Sequence, residues 1–209
     1  MQDNLTLVLV SGGVDSTVLL YVLRESSRVV PVFIDYAQRA AQREHTVASH
    51  HAGVLGLELR HLDLSALGQS MRREQRAKLH VPLRDRNLVV LSVALSYAAQ
   101  LGASAIAIAS IKDDLDGYAS ASRQFFSAFA DLARSLGNIS MTTPLLEYEK
   151  TRVIRTGLAL GVDYTQTHSC MVSASQHCGR CSQCLSRRRA FRAAGVSEPK
   201  DFYAQACPA

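Results

Sequence analysis

Residues 5–17, Leu5-Thr6-Leu7-Val8-Leu9-Val10-Ser11-Gly12-Gly13-Val14-Asp15-Ser16-Thr17, decide how the rest of the chain is read. The apolar run Leu5 to Val10 stops at Ser11-Gly12-Gly13, and apolar-periodic residues resume near Asp15, which is the order strand, glycine turn, helix. Such a turn suits a phosphoryl group. Two glycines let the backbone come close to an anion, and Ser11, Ser16 and Thr17 supply hydroxyl donors. The new helix directs free N–H groups and its positive dipole end at the same place. The alternative is an ordinary strand-to-helix turn in which Asp15 or Ser16 caps the helix.

No lysine follows either glycine, so the loop is not a Walker A, and the glycine spacing does not match a dinucleotide fingerprint. Ser11-Gly12-Gly13-Val14-Asp15-Ser16-Thr17 resembles instead the PP-loop of the ATP pyrophosphatase superfamily. That resemblance implies a grip on the β,γ-pyrophosphate of ATP and attack at its α-phosphorus, giving an adenylated intermediate.

Downstream, Val18, Leu19, Val22 and Leu23 recur at helical spacing, and Val29 to Ile34 reads as a second buried strand that ends at Asp35-Tyr36, on the ligand-binding edge of a parallel sheet. Gln38 to about Leu55 is polar and helix-favouring, with His45, His50 and His51 read as part of a solvated face. Leu57 to Leu62 predicts a third strand. Ser65 to His80 reads as a basic, loop-like connection whose Arg72, Arg73, Arg76 and Lys78 form solvated surface rather than a nucleic-acid contact.

Leu88, Leu91, Leu95 and Ala98 predict a helix ending at Gly102, and Ser104 to Ala109 a fourth strand. A polar loop, Lys112 to Ser122, precedes a helix expected to bury Phe125, Phe129, Leu132 and Leu136. Ile139 to Thr142 predicts a fifth strand, stopped by Pro144, and Tyr148 to Leu160 a helix closed by Gly161. Strands alternating with helices predict the α/β class: a Rossmann-like parallel sheet with helices on both faces, followed by a C-terminal helical segment.

A chain of 209 residues is long enough for one substantial core with an appendage and too short for two full domains. With 47% hydrophobic and 20% charged residues, the composition is that of an ordinary globular protein, and a net charge of +5 suits anionic ligands such as nucleotides. No apolar run approaches the roughly 20 residues that span a bilayer, and no leader pattern is present, so a cytoplasmic protein without membrane contact is expected. A nucleic-acid partner is disfavoured.

Four of the five cysteines, Cys170, Cys178, Cys181 and Cys184, cluster with Gly179 between two of them. Pairs separated by two residues wrap a tetrahedral ion, and Zn²⁺ takes four thiolates in closed structural sites. An iron–sulfur cluster and a redox or sulfur-transfer cysteine pair are the alternatives.

Loop and cysteines together resemble the 7-cyano-7-deazaguanine synthase (QueC) family, over nearly the whole chain. Further matching stretches are Asp35-Tyr36 with Gln38-Arg39 and Glu44, Val81-Pro82 with Arg86-Asn87-Leu88, Leu95-Ser96-Tyr97-Ala98, Gly117-Tyr118, Thr143-Pro144-Leu145 with Lys150, and Leu160 to Tyr164. The resemblance implies conversion of 7-carboxy-7-deazaguanine, ammonia and ATP into the nitrile used for queuosine, through an adenylated acid and an amide. It implies residues 1–163 as a PP-loop ATP-binding α/β domain and 164–209 as a four-cysteine zinc-binding segment, a homodimer, and ATP, Mg²⁺ and structural Zn²⁺ as ligands. Val10 to Thr17, Asp35, Tyr36 and Gln38 are then expected to bind ATP, with Asp15 and Lys150 in catalysis. Arg86, Asn87, Asp116, Gly117, Tyr118 and Arg123 are expected to meet the acid. Lys150 as a mere helix-surface lysine remains the alternative for that residue.

Three loops depart from the family pattern. Pro-Asp-Cys-Arg after Gly117-Tyr118 is replaced by Ala119-Ser120-Ala121-Ser122 with Arg123 one place late, Tyr-Gly-Gln-Arg-His is replaced by Tyr36-Ala37-Gln38-Arg39-Ala40, and two extra residues separate Val81-Pro82 from Arg86-Asn87. These changes fall in loops expected to face the acid or a neighbouring subunit. They leave open a divergent paralogue that joins the activated acid to another amine, and a non-catalytic zinc- and ATP-binding module.

Overall fold

The computed structural model describes residues 5–73, 83–115, 117–173, 175–199 and 201–204. Its elements are β1 (Leu5–Leu9), α1 (Val14–Arg24), β2 (Arg28–Asp35), α2 (Ala41–Val54), β3 (Arg60–Asp63), α3 (Ser65–Arg73), α4 (Arg86–Leu101), β4 (Ala105–Ala107), α5 (Arg123–Gly137), β5 (Ser140–Thr142), α6 (Lys150–Ala159) and α7 (Ser182–Ala194). Short 3-10 turns lie at Lys112–Asp114, Ala119–Ala121 and Tyr164–Gln166.

The strands form one parallel sheet in the order β3-β2-β1-β4-β5. The chain winds outward from β1 through β2 to β3, then returns to β4 on the other side of β1. The crevice beyond the carboxyl ends of β1 and β4 is therefore the topological switch point, where open α/β sheets take their ligands. Successive residues point to opposite faces of a strand, and both faces are covered. Val8, Val10 and Phe33 share a core with residues of α1, α6 and α7. Leu7, Leu9, Val32 and Ile34 share the other with residues of α4 and α5.

Several elements depart from the sequence reading for identifiable reasons. Residues 65–73 are helical rather than loop-like: Gly68 lies so close to the Tyr36 carbonyl that a Cβ there would stand 1.9 Å from its oxygen, and Arg72 donates to the Ala37 carbonyl. Arg76, Lys78 and Val81-Pro82 lie outside the described residues. The third strand starts at Arg60 instead of Leu57, because the Leu57 N–H is used to close α2 on Ala52 O at 2.8 Å, with Gly56 at φ +67°.

On α5 the buried stripe is Phe126, Phe129 and Ala133, whereas Leu132 and Leu136 are 44% and 70% exposed. Both stripes obey helical spacing and share Phe129, so periodicity alone does not separate them. His51 is fully buried, not solvated; its Nδ1 lies 3.1 Å from Tyr21 Oη and its Nε2 3.1 Å from Gln166 O. A carbonyl only accepts, so Nε2 carries the proton and Nδ1 accepts from the Tyr21 hydroxyl.

Candidate functional site

The phosphate-type loop leaves β1 at Val10 and is tied by Ser16, whose Oγ accepts the Ser11 N–H at 3.1 Å, shares a proton with Ser11 Oγ at 3.0 Å and lies 3.2 Å from Gly13 O. Gly12 has φ +72°, and a Cβ on it would stand 2.4 Å from Val47 Cγ2 and 2.5 Å from Glu44 O, so a side chain is excluded by α2 itself. Gly13 faces open space by contrast: the nearest atoms to a Cβ there are Ser11 Oγ at 3.4 Å and His168 O at 3.7 Å.

The N-cap of α1 is Gly13 with no side-chain cap, so neither Asp15 nor Ser16 fills the capping role. The first N–H groups of α1 therefore point into the cradle above Gly13 without a side-chain acceptor. Thr17 is fully buried, and among the described residues its Oγ1 has no partner.

Asp15 is engaged instead by the first residue of α6: Lys150 Nζ lies 2.5 Å from its Oδ2, with the two side chains only 14% and 21% exposed. The approach depends on Gly157, where a Cβ would stand 2.1 Å from Tyr164 Oη and 2.6 Å from Val18 Cγ2; only a glycine lets α6 lie this close to α1. Asp15 Oδ1 is buried and has no hydrogen-bond partner among the described residues.

From the end of β4, Asp113 accepts the Lys150 N–H at 3.3 Å. Its neighbour Asp114 has its carboxyl pushed up, first by the protein around it and then by the Asp15 charge, with Lys150 opposing. Asp113 and Asp114 carry no sequence signal of their own; the sheet order brings them to Asp15.

On the β2 side, Asp35 Oδ1 accepts the Ala37 N–H at 2.8 Å and Gln38 Oε1 the Tyr36 N–H at 2.9 Å. Gln38 Nε2 donates to Glu44 Oε2 at 3.1 Å. Burial raises the Glu44 carboxyl, and the Gln38 amide and Arg86 oppose it. Arg86 Nη1 lies 3.4 Å from Tyr36 Oη, and the Tyr36 phenol, with Glu44 and Asp114, holds the guanidinium above its usual range against loss of solvent. Ala37 has φ +61°, a left-handed conformation in the position of the family's glycine.

The residues expected to meet the acid separate into two groups. Arg86 joins the Tyr36–Glu44 cluster, whereas Asn87 Nδ2 donates to Ser120 O at 2.8 Å and so holds the 119–121 turn. Gly117 and Tyr118 are exposed, Tyr118 at 75%. Arg123 forms a two-pronged ion pair with Glu147 at the surface. Asp116 lies outside the described residues.

The four cysteine sulfurs of Cys170, Cys178, Cys181 and Cys184 all lie within 4.8 Å of one another. Backbone N–H groups point at three of them, from Ser173 and Cys178 to Cys170, from Cys181 to Cys178 and from Cys184 to Cys181, at 3.2–3.4 Å. Burial acts against ionisation of Cys178, but the N–H groups of Arg180 and Cys181 and the neighbouring thiols outweigh it and bring the thiol down to about 7. Thiolates around a single tetrahedral ion stand about 3.8 Å apart at a metal–sulfur distance near 2.3 Å. A four-iron cluster, with one thiolate on each iron, spreads its ligands wider, so this spacing fits one ion.

Sequence reasoning missed the residues that join this centre to the loop. Arg187 is buried, paired with Glu198 at 2.7 Å, and donates to Tyr164 O, Thr167 Oγ1 and Ser169 Oγ at 2.8, 2.8 and 3.2 Å. His177 Nε2 accepts the Ser169 N–H at 2.9 Å, and the His168 N–H donates to Gly12 O at 2.9 Å. The strap 167–170 is thus pinned at one end to the phosphate-type loop and at the other to the first cysteine. A charged arginine among apolar residues has no periodic signature, so nothing in the sequence marks Arg187 as interior.

A family model described as "Queuosine biosynthesis protein QueC" matches residues 5–195. A protein of Sulfurisphaera tokodaii named 7-cyano-7-deazaguanine synthase 1 is 30% identical over 197 residues, 94% of this chain and 96% of its own length. One of Thermoplasma acidophilum named 7-cyano-7-deazaguanine synthase is 32% identical over 97% of this chain and 93% of its own. Among solved structures, the U34-tRNA thiolase NcsA from Methanococcus maripaludis with its [4Fe-4S] cluster superposes with a TM-score of 0.61 at 14% identity, covering 99% of this chain and 77% of that one. The NMN synthetase from Francisella tularensis gives a TM-score of 0.56 at 12% identity, covering 96% and 80%. At these identities the two structures share the fold.

Proposed function

Because the chain belongs to the QueC family of queuosine biosynthesis proteins, we propose that it is a ligase that uses ATP to join ammonia to 7-carboxy-7-deazaguanine and yields 7-cyano-7-deazaguanine. The observation that carries the reading is the open cradle above Gly13 at the sheet's switch point, with the Lys150–Asp15 pair at its rim. A carboxylate is a poor electrophile. Attack of its oxygen on the α-phosphorus releases pyrophosphate into the cradle and leaves an acyl-adenylate. Ammonia then displaces AMP and gives the amide. The amide oxygen is no better a leaving group than the acid's, so a second adenylation precedes its departure as AMP and formation of the nitrile.

In this reading Ser11, Gly12, Gly13, Val14, Ser16 and Thr17 form the pyrophosphate cradle. Lys150 offsets charge that develops on the phosphates, and Asp15, with its second oxygen free of protein donors, faces the Mg²⁺ that accompanies ATP. Val10, Asp35, Tyr36 and Gln38 line the nucleoside side, and Arg86 is the cation best placed for the carboxylate. The four cysteines would hold one Zn²⁺, whose work is to fix residues 164–204 on the α/β unit of residues 1–163. A homodimer working in the cytoplasm completes the proposal; among the described residues no helix is long and apolar enough to cross a membrane.

The test is incubation with ATP, 7-carboxy-7-deazaguanine and ammonia, with nitrile, AMP and pyrophosphate followed by mass spectrometry. Amide without nitrile, or ATP bound with no pyrophosphate released, overturns it. The altered 119–122 loop and the Arg123–Glu147 pair favour one second reading, a paralogue that passes the activated acid to another amine.

A further inference from the structure

Arg43 stands on α2 next to Glu44, the residue whose carbonyl closes against Gly12. Its Nε is buried without a partner, and no hydrogen bond or ion pair to its guanidinium is made among the described residues. A guanidinium that is partly withdrawn from water with no acceptor is unusual, because burying a charge unpaired is costly. Its positive charge is felt at the imidazoles of His168 and His177, which places it against the strap that is bonded to Gly12. Three pieces of chain therefore meet around one cation: α2, the Gly12 turn and the 167–170 strap.

We propose that Arg43 is a phosphate-binding residue that completes the cradle from the α2 side and takes the terminal phosphates of the nucleoside triphosphate. The proposal rests on the ATP reading above. The planar fork of an arginine matches two phosphate oxygens at once, and its buried Nε supplies a third donor already stripped of water. The competing role is to balance the negative charge of a metal held by four thiolates. The charges that act on Cys178 and Cys184 come from their own neighbours, with Arg43 not among the causes of either shift.

The experiment compares the wild-type chain with R43Q, R43M and R43K, all loaded with metal. Calorimetric titration with ATP, adenosine, inorganic tripolyphosphate and 7-carboxy-7-deazaguanine is run beside metal content and ligand-free Tm. R43Q and R43M are expected to weaken ATP and tripolyphosphate about tenfold or more, the scale of one charged hydrogen-bonding group. Adenosine affinity stays unchanged, R43K recovers part of the loss, and the ligand-free Tm holds or rises because an unpaired cation has gone. Unchanged ATP and tripolyphosphate affinity overturns the proposal, as does weakening confined to the carboxylic acid. Loss of metal or a lower Tm in both R43Q and R43M assigns Arg43 to the scaffold and also overturns it. A wild-type chain that binds neither ATP nor tripolyphosphate removes the ATP reading itself, an outcome read before any variant.

Discussion

Lys150 Nζ stands 2.5 Å from Asp15 Oδ2, so that the first residue of α6 and the second of α1 share one ion pair although they are 135 positions apart. Asp15 Oδ1 keeps its lone pairs free of protein donors. Lys150→Ala is expected to lower kcat about 100-fold or more, the usual loss when a preorganised charge facing the transition state is removed. Asp15→Asn should do the same, and the double variant should lose much less than the product of the two, since each single change strands the other charge. Pyrophosphate release at the wild-type rate from Lys150→Ala would sink the assignment.

The two loop glycines are expected to fail differently. Gly12→Ala meets Val47 and the Glu44 carbonyl at under 3 Å and carries a positive φ, so it should destabilise the fold by about 2–5 kcal/mol. Gly13→Ala meets nothing closer than 3.4 Å and should fold normally while its methyl group occupies the phosphate space. Urea unfolding separates the two in stability, and calorimetry with ATP should show the loss of affinity in the stable Gly13 variant.

Ala37 holds φ +61° because its surroundings leave it no choice: Asp35 takes its N–H, Arg72 its carbonyl, and Gly68 packs on the preceding peptide. A left-handed alanine is strained, and Ala37→Gly is expected to stabilise the chain by about 1 kcal/mol, raising Tm by about 2–4 °C. A lower Tm in calorimetry would show that this strain does not exist.

His51 supplies the pH dependence. Burial, followed by the neighbouring His50 charge, lowers its affinity for a second proton, and both ring nitrogens are already committed. The folded pKa lies below the unfolded value near 6.5, so the unfolded chain binds the extra proton first. Stability from this residue is complete above about pH 6.5 and declines as pH falls below it, by at most about 1.4 kcal/mol per unit. Urea midpoints at pH 7.5 and 5.5 should differ less in His51→Gln than in the wild-type chain; equal differences would refute the assignment.

Metal analysis should find one ion per chain, lost when Cys184 is replaced by serine. Because the ion binds only the folded chain, its removal by a chelator should cost about 4 kcal/mol where free metal exceeds Kd a thousandfold. ATP affinity should fall with it, because the His168 N–H that holds Gly12 belongs to the strap leading into Cys170. A metal-free protein with undiminished ATP affinity would uncouple the two sites.

What the chain states locally was legible from its residues: the glycine turn between Leu9 and Val14, the alternation of strands and helices, and the C-x₂-C-x₂-C spacing at Cys178. Each is written over a few consecutive positions, where hydrophobic period and backbone freedom act directly. Tertiary structure alone decided the rest. It rotated the α5 stripe onto Ala133, buried His51, made α3 a helix through Gly68, and carried Asp113, Asp114 and Lys150 to Asp15. These outcomes depend on how closely two distant backbones approach, which is set at Gly157 and Gly68 by atoms that no neighbouring residue in sequence reports.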